Sequence, residues 1–164
     1  MRTHLGIAAL CLLLPLAGCG GDAEGQQKVD DVEADADAAV DGVVHDIAGA
    51  LGATFTAGKR SFAICGDSYA PRGVTMRTSL SFAASELPDG EAIDAAAAAL
   101  ESDGWTVTRP ANPAVVEGGK GELVVRVQVG SLVAVDVSSE CVETSDDVAR
   151  ETQDRPVEDV AWTE

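Results

Sequence analysis

Four cysteines, two histidines and a crowd of aspartates are the residues of this 164-residue chain that can do chemistry. Spacing decides what chemistry that is. The cysteines stand at positions 11, 19, 65 and 141, so no C-x-x-C pair exists of the kind a redox-active dithiol uses. There is no G-x-S-x-G elbow, no H-E-x-x-H, no phosphate-cradling Gly-Lys-Ser/Thr loop and no S-x-x-K. His45 lies beside Asp46, between Val44 and Ile47, and reads as a partly exposed helix residue rather than a general base. Asp35, Asp37 and Asp41-Gly42 echo a calcium loop, but the fifth ligand position would be Ala39 and the closing glutamate is replaced by Asp46. Gly118-Gly119-Lys120-Gly121 could hold an anion on one lysine, or simply turn a hairpin. The segment after Cys65 has the most varied side chains. Asp67, Tyr69 and Arg72 are therefore the nominees for a ligand site, against a plain surface loop beside a cysteine. The sequence names no catalytic residue, no metal ligand and no cofactor.

The start of the chain carries a sharper pattern. Arg2 gives a positive beginning, Leu5 to Leu16 is apolar throughout, and Leu16-Ala17-Gly18-Cys19 follows. About a dozen apolar residues are too few to span a bilayer, which takes about 20, but suit the core of an export signal. This segment resembles a bacterial lipoprotein precursor, whose lipobox Leu-Ala-Gly-Cys matches at every position. The resemblance implies a diacylglyceryl thioether on Cys19, cleavage before it, and an acyl chain such as palmitate on the new amine. It implies a protein held at the cell membrane by lipid and facing away from the cytoplasm. On that reading Cys11 and His4 leave with residues 1–18 and Cys19 is blocked. Cys65 and Cys141 then have only each other, in a compartment where disulfides persist. A loop of that length is stabilised by roughly 4–4.5 kcal/mol in the chain-entropy account.

Charge narrows the partners. Processing removes Arg2 and no acid, leaving 10 Lys and Arg against 28 Asp and Glu, a net charge of −18. Such a chain repels nucleic acid phosphates and anionic lipid headgroups alike, which argues against both as charge-driven partners. Anchoring lipid, an envelope protein or a cell-wall component are the partners that remain. Alanine, valine, glycine and aspartate dominate while lysine is scarce, a signature of a high-GC genome.

The elements that must position these residues follow from periodicity. Residues 19–28 read as the lipidated cysteine and a flexible tether, reaching roughly 15–18 Å as a coil. Val29, Val32, Ala36, Val40, Val43, Ile47 and Leu51 recur at helical spacing, and Gly52 stops the helix. A strand begins within 61–65 and a loop covers 66–73. Another strand runs over 75–84, with Met76, Leu80 and Phe82 on its inner face. Asp89 is expected to cap a second helix bearing Ile93, Ala96, Ala97 and Leu100, ended by Gly104. Trp105–Val107, Ala114–Glu117, Glu122–Val129 and the row Val133, Val135, Val137 supply further strands. A turn is expected at 118–121. A three-residue loop, Gly130–Leu132, keeps both valine rows on one face, whereas a two-residue turn would oppose them. The tail 142–164 is acidic and weakly apolar, expected to be disordered or a loose helix around 147–153.

These elements specify an α+β fold over 29–141. It is a mainly antiparallel sheet of about four to five strands with two helices on one face, and the disulfide staples the sheet's extremities. The element order and Gly104-Trp105 resemble small secreted actinobacterial lipoproteins with a disulfide-closed helix-plus-sheet domain, a resemblance that implies no function. The expected function is that of a non-catalytic binding, sensing or assembly accessory module of the envelope. The alternatives are a carrier of a small apolar ligand or, less favoured, a hydrolase built from carboxylates alone.

Overall fold

Valine supplies most of the interior, and its rows dictate the architecture. The computed structural model describes residues 20–163; the export signal expected at 1–18, with Cys11, and the lipidation expected at Cys19 lie outside the described residues. Helix α1 (Gly20–Ala39) runs without a break through a π-helical turn (Val40–Val44) into α2 (His45–Leu51). The wider turn adds a residue, so Val40, Val43 and Val44 are all buried, where an uninterrupted α-helical period would rotate one outward. Gly52 closes the helix in the left-handed conformation at φ 59°, and the N–H groups of Gly52 and Ala53 cap the carbonyls of Gly49 and Ala48.

The strands are β1 (Phe55–Gly66), β2 (Pro71–Phe82), β3 (Thr106–Thr108), β4 (Val115–Lys120), β5 (Leu123–Val129), β6 (Val133–Ser139), β7 (Val142–Glu143) and β8 (Glu158–Asp159). They form one antiparallel sheet in the order β3-β4-β5-β6-β2-β1-β8, with β7 continuing along β2 beyond β6. Helix α3 (Asp89–Ser102) links β2 to β3, and α4 (Asp146–Gln153) links β7 to β8. The helices cover one face, where Val125, Val127, Val133, Val135 and Val137 meet Val29, Ile47, Leu51 and Leu100 in a single core. Leu100 packs so closely that a Cβ on Gly118 would lie 2.8 Å from its side chain.

The fold class is thus α+β with an antiparallel sheet, a Cys65–Cys141 disulfide and the expected helix-on-sheet layering. The register agrees at the valine hairpin, where Val129 pairs with Val133 across Gly130–Leu132. Several details differ. The sheet has eight strands rather than four or five, and a third helix, α4, joins the two expected. The hairpin expected at 118–121 turns later, because β4 continues to Lys120, which pairs with Leu123. Pro88, not Asp89, occupies the cap of α3, and no side chain caps it.

The two ends of the chain differ most. Residues 20–28, expected as a tether, are helical, with Gly25 packed against Thr144 and the Asp22 carboxylate accepting from Ser145 Oγ at 2.6 Å. The tail, expected to be disordered, adds β7, α4 and β8. Ser145 caps α4 by accepting from Val148 N–H, and Val148, Ala149 and Thr152 are buried. Trp162 lies between the rings of His45 at 3.7 Å and Phe55 at 5.1 Å. Composition undervalued both segments because few residues in each are buried, Gly25 in the first and Val142, Val148, Ala149 and Thr152 in the second.

The disulfide joins the two neighbours of β2 rather than the sheet's extremities. Cys65 pairs across from Gly73, which in turn pairs with Glu143, just past Cys141. Gly73 is required there, since a Cβ would stand 1.8 Å from the Val142 carbonyl oxygen. Replacing either cysteine is expected to lower stability by about 2–5 kcal/mol in denaturant titration. Alkylation of the denatured, unreduced protein followed by mass spectrometry should find neither Cys65 nor Cys141 modified; two alkylated thiols would contradict the bridge.

Candidate functional site

Asp67 and Tyr69 fall on the turn between β1 and β2, and Arg72 is the second residue of β2. The Asp67 carboxylate accepts from Tyr69 N–H at 3.0 Å, and its carbonyl accepts from Ala70 N–H at 3.2 Å, so the aspartate builds the turn. The Arg150 guanidinium, from α4, donates to the carbonyls of Ser68 at 3.2 Å and Tyr69 at 3.3 Å. The Tyr69 side chain is left projecting, 89% exposed. Arg72 leads away into an open cleft with Gly21, Lys28 and Glu143. The three nominees are close in the chain, but they do not converge on an enclosed cavity.

A different polar cluster lies between α1 and the sheet. Arg60 occupies the inner face of β1 with only 8% of its side chain exposed. Glu33 and Asp37, one helical turn apart on α1, both accept from its guanidinium, Glu33 at 2.9 Å. Its Nε donates to the buried Thr78 hydroxyl at 3.3 Å, and Arg155 reaches Glu33 from beyond α4. Burial alone would pull the Arg60 pKa down, but hydrogen bonds and charge from Asp37 and then Glu33 more than offset it, leaving it raised. The guanidinium stays charged and ties helix to strand. Inner-face parity at Gly58, Arg60 and Phe62 was the signal available in sequence; the strand had to be known to start at Phe55 for it to count.

The remaining sequence candidates are absorbed by packing. Asp35, Asp37 and Asp41 are spread along a helix instead of a loop, so the calcium-like spacing does not close on a point. Among the described residues no group of three or more His, Cys, Asp or Glu is placed to hold a metal ion. Lys120 is engaged by the Asp103 carbonyl at 2.8 Å and lies over the Trp105 ring. The Asp103 carboxyl is held below the usual carboxylate range by the Trp105 Nε1–H bond, helped by Lys120. His45 lies flat on Trp162. Three open clefts of about 350–430 Å³ flank α1, and charged side chains share their walls: Asp31, Asp35 and Glu143; Asp37, Asp41 and Arg60; Asp103 and Lys120.

Among the described residues, the opposite face of the sheet carries no helix. Its charged residues are matched in ion pairs: Lys59 with Asp159, Arg77 with Asp136 at 3.3 Å, and Arg126 with Glu117. Ser79 and Ser138 lie among them, paired with Asp136 and Arg77 across the β2–β6 ladder. In a chain this acidic, a charge-balanced face of that breadth stands apart from the aspartate-rich helix α1.

No family model matches the chain, and no curated protein and no solved structure is significantly similar to it. Among the described residues no helix is long and apolar enough to cross a membrane.

Arg60→Ala should cost about 1.5–3 kcal/mol of unfolding free energy, because it removes the charged hydrogen bonds that tie Glu33 and Asp37 of α1 to β1. Lys59→Ala, one residue away in an exposed pair, should fall within about 0.5 kcal/mol of the parent. Urea titration of the two variants checks the contrast, and equal losses would contradict a buried clamp.

Proposed function

We propose that the chain is an envelope lipoprotein, acylated on Cys19, whose domain is a non-catalytic binding or assembly module. The uncovered sheet face carries this reading. It is broad, polar and paired in charge, so a protein partner meets no net repulsion there, unlike at the aspartates of α1. Its side chains are mostly short, Ser79, Ser81, Ala134 and Ser138 among them, and ordering them on contact costs little entropy. An enclosed apolar cavity of the kind that would favour a carrier has no counterpart in the open, charge-lined clefts beside α1. Two acyl chains or more hold a protein stably where one is marginal, so the domain stays at the membrane and meets envelope partners there.

One experiment covers both parts. Cells fed an alkyne fatty acid should label the wild type and not Cys19→Ser, which accumulates as uncleaved precursor, because only the cysteine thiolate accepts the diacylglyceryl group. In the same cells, a photo-crosslinking amino acid at Ser79 or Gln128 should capture an envelope protein, while one at Asp41 should not. Equal acyl labelling of both chains would overturn the anchor. Turnover in a broad hydrolase screen, lost in His45→Ala or Asp67→Asn, would overturn the non-catalytic reading.

A further inference from the structure

The end of the domain where α1 begins carries its most exposed aromatic residue. Gly20 is the first residue of α1, and Cys19 is its covalent neighbour, with consecutive Cα atoms about 3.8 Å apart. The first turns of α1 are fastened to that end of the domain: Asp22 to Ser145, and Gly25 against Thr144. Thr144 N–H in turn donates to the carbonyl of Arg72, the second residue of β2, at 3.1 Å. A chain of direct contacts therefore links the start of α1 to the turn that presents Tyr69.

We infer that this turn is the domain's contact point with the phospholipid surface, with the Tyr69 ring seated in the interfacial layer. The inference rests on acylation of Cys19, the reading given above, and adds an orientation to it. Tyrosine suits that layer because its ring is apolar and its hydroxyl is hydrated, which is why aromatic belts lie at the level of the headgroups. The ring is 89% exposed, while Asp67 and Arg150 hold the backbone beneath it, so the side chain is presented by a braced turn. Arg72 follows in β2 with its side chain exposed, placed to meet lipid phosphate. The same end carries Asp22, Glu24, Asp67 and Glu143, which resist leaving water. Contact is therefore limited to one ring at headgroup depth, and the anchor supplies the high local concentration that so small a contact needs.

The test uses the full acylated chain, purified with its lipid and reconstituted in vesicles of phosphatidylethanolamine and phosphatidylglycerol. A nitroxide is placed on Ser68→Cys, and separately on Leu132→Cys in the β5–β6 turn as the distant reference. Mass spectrometry first reads the acyl groups on Cys19. The label at 68 should be several-fold less accessible to a water-soluble relaxation agent than the label at 132, and Tyr69→Ser should remove most of that difference with acylation unchanged. An acylated protein whose two labels are equally accessible would overturn the turn contact alone. A chain without acyl mass would overturn the anchor, and the orientation with it. Arg72→Ser separates the ring from the charge: protection retained in that variant assigns it to Tyr69, and protection lost there would overturn the ring as the seated group.

Discussion

The seating of one long helix on a valine-lined sheet is the interaction on which the rest of this structure depends. From Gly20 to Leu51 the chain stays helical, and its buried side chains are valine, alanine, isoleucine and leucine. Small and β-branched residues bring helix and sheet close, and dispersion and burial then act over the whole length of the contact. With so few aromatics available, no single large side chain could organise the core. Length of contact replaces size of side chain, and the π turn keeps that contact in phase where the helix would otherwise rotate away.

Arg60 gives this interface its register. An apolar stripe allows a helix to slide by a turn with little penalty, whereas a nearly buried guanidinium bonded to Glu33, Asp37 and Thr78 accepts one position. Arg155 ties the segment after α4 to the same glutamate. One buried cation thus connects the first helix, the long hairpin β1–β2 and the C-terminal segment. Those are the parts farthest apart in sequence that the fold must bring together.

Regions of strong period were legible from sequence, and regions held by few contacts were not. The helical stripe from Val29 to Leu51, the alternating rows around Val129 and Val133, and the alanine-rich helix ending near Gly104 each repeat a signal several times. The first eight residues of α1 offer little beyond Gly25 on Thr144, and the segment after Cys141 places Val142, Val148, Ala149 and Trp162 on the core at irregular spacing. Such contacts exist only between segments, so no local pattern announces them. The nominated trio Asp67, Tyr69 and Arg72 was legible as an unusual loop. What that loop does depends on the helix start beside it, which only the folded chain reveals.

The helix runs from Gly20 into the core without a break, so with the acylation proposed for Cys19 the domain would have no slack between lipid and core. Backbone ¹⁵N relaxation on the processed, uniformly labelled protein tests it directly. Order parameters for Asp22–Lys28 should match those of Val29–Leu51, near the value of about 0.85 typical of rigid backbone. Values below about 0.6 across Asp22–Lys28, with Val29 onward rigid, would restore a flexible tether and contradict the account.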